Sequence, residues 1–213
     1  MRQTLKKELQ KGSLRHQAIP AQPALVRIFH WGFALSMAGL LLTGFELHQP
    51  AHFLAFQFGQ EYIIHLTFAW LSLAFFMLRV TDAIFRKDRS ILVGFKDIKN
   101  FPKLLSYYLF LRCSPPPAGK YNSGQKLIFT SWLVLFILGS ILGLASYDQG
   151  ERLAWIVRLT GGWQMLRWAK YAIAVYFSAT ISVHIYLSLT EDLSRLQAMI
   201  TGFEDKFEHA KTR

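Results

Sequence analysis

Residues 127–145 read LIFTSWLVLFILGSILGLA, a run of 19 residues without a charged side chain. A helix needs about 20 predominantly apolar residues to cross the hydrocarbon core of a bilayer. Three further runs have similar length and composition, at residues 24–45, 63–85 and 168–189. A single run could be a buried helix of a soluble protein. Four of them in a chain of 213 residues predict an all-α fold, an integral membrane four-helix bundle.

The overall composition favours the same class. Hydrophobic residues make up 52% of the chain and charged residues 17%, whereas a soluble domain carries about 25% charged residues. The net charge of +11 in so apolar a chain indicates Lys and Arg at a membrane face rather than a nucleic-acid partner. Cys113 is the only cysteine, which excludes intramolecular disulfides, a cysteine-ligated iron–sulfur cluster and a CxxCH haem attachment site.

The charges of the connecting segments predict the direction of the spans. Segment 86–126 is rich in Lys and Arg, and the basic first 23 residues lack the apolar core of a cleavable signal peptide. Segment 46–62 contains no Lys or Arg. The positive-inside rule therefore places both termini and segment 86–126 in the cytoplasm. We expect a cytoplasmic segment 1–23, a membrane domain 24–189 and a cytoplasmic tail 190–213.

Residues 91–112, within the basic segment, mix lysines with Phe, Leu and Tyr. This composition is typical of a helix that lies in the membrane interface. A solvated basic loop explains it equally well.

Two histidines within the spans are expected at the same depth. His30 lies in the cytoplasmic half of the first span and His184 in the cytoplasmic half of the fourth. Ionisable side chains inside a membrane are rare and usually functional, and two facing imidazoles suit the axial positions of a haem iron. A zinc or copper site would need further ligands at that depth. A proton relay would need carboxylates, and we expect none in the spans except Asp82.

A third histidine, His65, is expected at the outer end of the second span. Its partner must therefore come from the outer part of another span. Lys170 precedes His184 by 14 residues, which is roughly 21 Å along a helix and nearly the same face. That spacing fits a second haem, although lysine could bind iron only as the neutral amine. Weaker candidates are Met165, His48 and His52. Alternatively, His65 only packs against its neighbours or bonds a backbone carbonyl.

Several motifs around these histidines match one known family. They are RIFHW at 27–31, LTG at 42–44, IIH at 63–65, GKYNSGQK at 119–126, HIY at 184–186 and LQAMITG at 196–202. With them the chain resembles the dihaem cytochrome b (gamma) subunit of respiratory formate dehydrogenases, which is related to the b-type cytochromes of nickel–iron hydrogenases. GKYNSGQK, close to the family's GKYNxGQK, is the most specific of these matches.

The resemblance implies a function as an electron-transfer subunit that is not itself catalytic. Such a subunit lies in the bacterial inner membrane and carries electrons between an iron–sulfur subunit with its catalytic partner on the outer face and a membrane quinone. It implies two b haems. A hydrogenase-type cytochrome subunit is the alternative within this class, and only the partner would distinguish the two. A transporter or proton pathway is a further alternative, which the scarcity of carboxylates in the spans disfavours.

The resemblance also assigns residues. His30 and His184 match the ligands of the inner haem, and His65 matches one ligand of the outer haem. The family's fourth histidine falls at Lys170 here, so the outer haem is either ligated differently or absent. If it is absent, the chain is a membrane anchor with little electron-transfer role.

The family's quinone residues match Asn122, Gly124 and Gln125. Side-chain amides can hydrogen-bond a quinone headgroup, and a glycine beside them allows the backbone to approach it. The alternative is structural: Asn122 caps the third span and Gln125 lies in its first turn.

Overall fold

The computed structural model describes residues 15–48, 59–117, 119, 121–149, 151–190 and 193–208. In chain order its elements are β1 (Arg15–Pro20), α1 (Ala24–His48), α2 (Gln60–Phe85), α3 (Phe95–Tyr108), α4 (Ser123–Tyr147), α5 (Ala154–Leu159), α6 (Trp163–Thr190), α7 (Leu193–Thr201) and β2 (Phe203–Glu208). His52 and residues 1–14 lie outside the described residues.

The helical membrane fold is confirmed. Each predicted span lies within one of the long helices α1, α2, α4 and α6, and these four helices are long and apolar enough to cross a membrane. The observed helices extend up to five residues beyond the predicted ends. The added turns contain polar residues that can satisfy the free backbone groups of a helix end, so the apolar run alone underestimates the helix length.

The longer helices correct the prediction that the spans contain no carboxylate except Asp82. Glu46 lies in the last turn of α1 and Glu61 in the first turn of α2, and both side chains are buried. Asp82, near the end of α2, forms ion pairs with Arg79 and Arg86.

The chain divides into two compact units. One consists of residues 1–31 and 182–213, and in it β1 pairs with β2 in an antiparallel sheet, with Arg15 opposite Glu208 and Pro20 opposite Phe203. Gly202 makes the turn from α7 into β2 at a φ of 92°, and its carbonyl oxygen accepts the N–H groups of Ala21 and Gln22. This sheet adds to the predicted helical fold.

The second unit consists of residues 32–181 and contains α2 to α5 with the larger parts of α1 and α6. One of its apolar clusters is centred on Met37, Phe136 and Phe177, which come from α1, α4 and α6. Only 6% of the most apolar window of α2 is buried inside the chain. The remaining apolar side chains would be unfavourable in water, and a lipid environment accounts for them.

Candidate functional site

The first histidine pair lies in the unit formed by residues 1–31 and 182–213. The ring centroids of His30 and His184 are 6.5 Å apart, and the ring planes are inclined by 60°. The Nδ1 atom of His30 is buried and has no hydrogen-bond partner in the part of the chain that the structure describes. A buried polar atom without a partner is costly and is typical of a position that a ligand completes.

The spacing of the two rings fits a metal ion between them. A metal–imidazole bond is about 2 Å long, and the ring centroid lies roughly 1 Å behind the nitrogen, so two axial imidazoles have centroids about 6 Å apart. The pair is therefore close to the separation that two axial ligands of one iron require. No group of three or more His, Cys, Asp and Glu side chains among the described residues could hold a metal ion by itself.

Hydrogen bonds connect the start of α1 to α7 beside this pair. The indole Nε1 of Trp31 donates to the carbonyl oxygen of Met199 at 2.9 Å. The guanidinium Nη1 of Arg27 donates to the carbonyl oxygen of Ile200 at 2.8 Å. The ring of Trp31 also contacts that of His30 edge to face, with centroids 5.1 Å apart. These contacts restrict the positions that the backbone of His30 can adopt.

The second candidate site is a cavity of about 370 Å³ in the unit formed by residues 32–181. Its lining includes side chains from α1, α2, α4 and α6, and the polar or charged ones among them include His65, Lys170 and Arg167. Pockets for small molecules and cofactors are usually 300–1,000 Å³, mostly apolar and provided with a few polar groups. The structure thus brings His65 and Lys170, which are 105 positions apart in sequence, to one cavity.

A hydrogen bond orients His65. Its Nδ1 atom is 2.9 Å from Oγ1 of Thr43. The single hydroxyl proton of Thr43 is directed to the carbonyl oxygen of Gly39, at 2.7 Å. Oγ1 can then accept a hydrogen bond from an Nδ1–H group of His65, and in that tautomer the lone pair of His65 is on Nε2. Metal-ligating histidines usually have this arrangement, with one ring nitrogen donating to a protein oxygen and the other free to bind.

Lys170 is also held by a hydroxyl group. Its Nζ donates to Oγ of Ser146 at 2.8 Å, and Ser146 donates in turn to the carbonyl oxygen of Leu142 at 3.0 Å. Of the weaker candidates, His48 lines the cavity and stacks on Tyr171 with centroids 4.1 Å apart. Met165 is 55% exposed and does not line the cavity.

Three glycines are among the residues that line the cavity. Gly139 and Gly143 lie one turn apart on α4, and Gly44 lies on α1. A Cβ atom on Gly44 would be 3.3 Å from Cε1 of His65, so a larger residue would displace the ring. A mostly apolar cavity lined by His65 on α2 and Lys170 on α6 offers two nitrogen atoms that could hold a haem iron.

Asn122 and Gln125 form a capping box at the start of α4. The Oδ1 atom of Asn122 accepts the backbone N–H of Gln125 at 2.8 Å, and Oε1 of Gln125 accepts that of Asn122 at 3.1 Å. This is the structural alternative stated above. The box uses the two amide oxygens and does not require either NH₂ group.

Gly124 and Lys126 connect α4 to α3. A Cβ atom on Gly124 would lie 3.0 Å from Cδ2 of Leu104, so the glycine allows α3 to pack closely. Nζ of Lys126 is 3.2 Å from the carboxylate of Asp97. The backbone N–H of Gly94 and then Lys126 lower the pKa of Asp97.

Sequence analysis missed several residues of these sites. Thr43 lies within the LTG motif, but only the contact with His65 reveals its role. Ser146 and the glycines of α4 carry no local signal of a binding site. They become recognisable once α4 and α6 are known to line one cavity.

Comparisons with known proteins extend over both histidine sites. A family model described as "Prokaryotic cytochrome b561" matches residues 21–202. A "Probable Ni/Fe-hydrogenase B-type cytochrome subunit" of Bradyrhizobium diazoefficiens is 24% identical over 205 residues, covering 84% of this chain and 81% of the relative. A protein of the same name from Azotobacter vinelandii is 25% identical over 223 residues, covering 92% of this chain and 93% of the relative.

Proposed function

The chain belongs to the prokaryotic cytochrome b561 family, and on this premise we propose that it carries electrons between an iron–sulfur subunit and a membrane quinone. Family membership implies haem b as a cofactor. With four apolar helices and bacterial relatives, the chain is a multi-pass protein of the inner membrane. The substrate of the whole complex is oxidised on partner subunits.

The partner is most simply a hydrogenase-type complex, because the relatives above carry that name. The motif GKYNSGQK at residues 119–126 supports a formate dehydrogenase-like complex instead. Purification of the native complex, with identification of the subunits that accompany this chain, distinguishes the two proposals.

His30 and His184 are the residues that would hold the iron of one haem b. When bound, haem b supplies a one-electron redox centre whose potential depends on its ligands and on burial. The 6.5 Å separation of the two rings carries this proposal, and the unpartnered Nδ1 of His30 supports it. Trp31 and Arg27 help to position the helix that presents His30.

His65 and Lys170 are the proposed ligands of a second haem b. Thr43 holds the proton of His65 on Nδ1 and so keeps Nε2 available for iron. Ser146 positions the lysine amine, which must lose its proton to bind a metal.

Asn122, Gly124 and Gln125 are the proposed quinone residues. Two amide NH₂ groups at a helix N-terminus can donate hydrogen bonds to the carbonyl oxygens of a quinone. They can do so while their oxygens remain in the capping box. Capping and quinone binding are therefore compatible roles for the same two side chains.

A non-conducting membrane anchor is the competing proposal, and Lys170 in place of a histidine motivates it. Without the second haem, electrons from an external cluster would have to cross most of a membrane thickness, about 30 Å. The haem content of the complex therefore decides between a conduit and an anchor.

Replacement of a ligand tests the first haem assignment. His184→Ala in the purified complex should lose about one haem b per chain, since one of the two residues that would hold the iron is removed. Pyridine haemochrome absorbance against protein concentration measures the ratio. His16→Ala, which changes a histidine of β1, is the matched control and should keep the full content. Full haem content in His184→Ala would refute the assignment.

A further inference from the structure

Helix α3 presents three distinct faces. The first packs against the start of α4, where Leu104 is buried and lies close to Gly124. On the same face Asp97 forms an ion pair with Lys126. Because the apolar run of α4 begins at residue 127, these contacts place α3 at the level where that helix enters the hydrocarbon region.

The second face of α3 is apolar and exposed. Its side chains are separated by three, seven and four residues, intervals that put them on one side of the helix. They are Phe95 (81% exposed), Ile98 (53%), Leu105 (46%) and Leu109 (58%). Exposed Phe110 and Leu111 continue this surface beyond the helix. So many large apolar groups together at a helix surface mark a contact with lipid or with another protein.

The third face of α3 is basic. Lys96, Lys99 and Lys103 are three or four residues apart, so they share one side of the helix, and all three are exposed. None of the ion pairs found among the described residues involves these lysines. The face therefore carries three positive charges, and among the described residues no carboxylate forms an ion pair with them.

We propose that α3 is a membrane-surface helix that binds anionic phospholipids. Its apolar face lies at the boundary with the acyl chains, and the lysines contact the phosphate groups. An amphipathic helix with Lys beside a large apolar face has the composition of such helices. Juxtamembrane lysines are attracted to anionic headgroups within a Debye length of the surface. Charge complementarity favours lipid over a protein surface, because an apolar face and a basic face side by side match the layering of an anionic bilayer.

The sole cysteine provides a reporter beside α3. Cys113 is exposed and lies five residues beyond the end of the helix. We would label Cys113 of the full chain with a fluorophore and reconstitute the protein in phosphatidylcholine nanodiscs. In one sample, a fraction of the lipid is brominated phosphatidylglycerol. In the other sample, the same fraction is brominated phosphatidylcholine. Quenching of the fluorophore then reports which lipid is enriched around α3.

We expect brominated phosphatidylglycerol to quench at least about twofold more strongly, and salt to reduce this preference. Lys99→Gln with Lys103→Gln should lower the ratio toward one. Lys99→Arg with Lys103→Arg should retain the preference, since the charge is kept. Arg152→Gln with Arg158→Gln changes the same number of exposed cations elsewhere and should also retain it.

Equal quenching by the two lipids in the unchanged protein would overturn the proposal and leave the exposed face to a protein partner. A preference that survives loss of the two lysines would overturn it as well. Both outcomes are independent of haem content, so they do not bear on the proposed electron-transfer function.

Discussion

The two histidine sites differ in which of their parts point to a haem. His30 and His184 are two residues of the type that haem iron commonly accepts, with their rings 6.5 Å apart. At the other site the cavity, the lining glycines and the oriented His65 are all present, but the residue opposite is Lys170. The first site is proposed from its two histidines and the second from the residues that surround its cavity. A change of ligand type therefore does not imply that the site is lost.

The largest expected effect comes from breaking one site alone. His65→Ala should remove the haem of the cavity and lower the haem b content to about one per chain. The haem proposed at His30 and His184 should keep its low-spin signal in electron paramagnetic resonance. Loss of both signals, or of neither, would contradict the assignment of two separate sites.

Replacement of Lys170 sharpens the comparison by making the sites alike. Lys170→His should retain the second haem, and its low-spin signal should become similar to that of a bis-histidine iron. Its midpoint potential should move by roughly tens of millivolts, because axial ligands set the potential. Lys170→Leu should remove the lysine ligand and with it that spectrum. An unchanged spectrum in both variants would show that Lys170 does not bind the iron.

The hydroxyl of Thr43 tests whether the second site depends on its histidine tautomer. Thr43→Val keeps the shape but removes the hydroxyl that contacts Nδ1 of His65, and loss of this hydrogen bond should cost about 1–3 kcal/mol of stability. The signal of the cavity haem should broaden or shift while that of the other haem stays the same. Thr43→Ser retains the hydroxyl and should restore both the thermal stability and the spectrum. If Thr43→Val and Thr43→Ser had equal effects, the role of Thr43 would be limited to packing.

Variants of Asn122 can be tested by quinone turnover in addition to haem spectra. Asn122→Asp keeps a capping oxygen but has no NH₂ group, whereas Asn122→Ala loses both and should cost about 1 kcal/mol of stability. If the amide binds quinone, both variants lower quinone turnover and leave the haem spectra unchanged. Normal turnover in Asn122→Asp would restrict this residue to capping α4.

Asp97 belongs to neither histidine site and gives the smallest expected effect. The N–H of Gly94, followed by Lys126, lowers its pKa. The contribution of Asp97 is therefore fully present above the unfolded-state pKa of about 3.9 and is lost as the pH falls through the lower folded value. Fluorescence of a label on Cys113 should report loosening of α3 in that acid range. Asp97→Asn should remove this pH dependence, and an identical acid profile would contradict the ion pair.

Much of the fold could be predicted because membrane spans are local features. Long uncharged runs such as residues 127–145 indicate helices without knowledge of any contact. The pairing of β1 with β2 could not be predicted, since it joins polar segments from opposite ends of the chain and has no hairpin signal. The last turn of α1 was missed because Glu46 and His48 interrupt the apolar pattern.

In the candidate sites, too, features within one helix could be predicted and contacts between helices could not. Helical geometry suffices to relate Lys170 to His184, because the two residues lie on one helix at a suitable spacing. The partners Thr43 and Ser146 depend on contacts between helices, which composition and periodicity do not specify. Hydroxyl groups that bond the backbone of their own helix are common, so neither residue stands out until the helices are packed.

The haem b content of the purified complex tests the central claim most directly. Pyridine haemochrome absorbance, divided by the molar concentration of this chain, gives the number of haems without any assumption about partners. We expect a ratio of about two, with both the histidine pair and the His65–Lys170 cavity filled. A ratio near one would contradict this account, because electrons would then lack a carrier at the cavity and the chain would serve chiefly as an anchor.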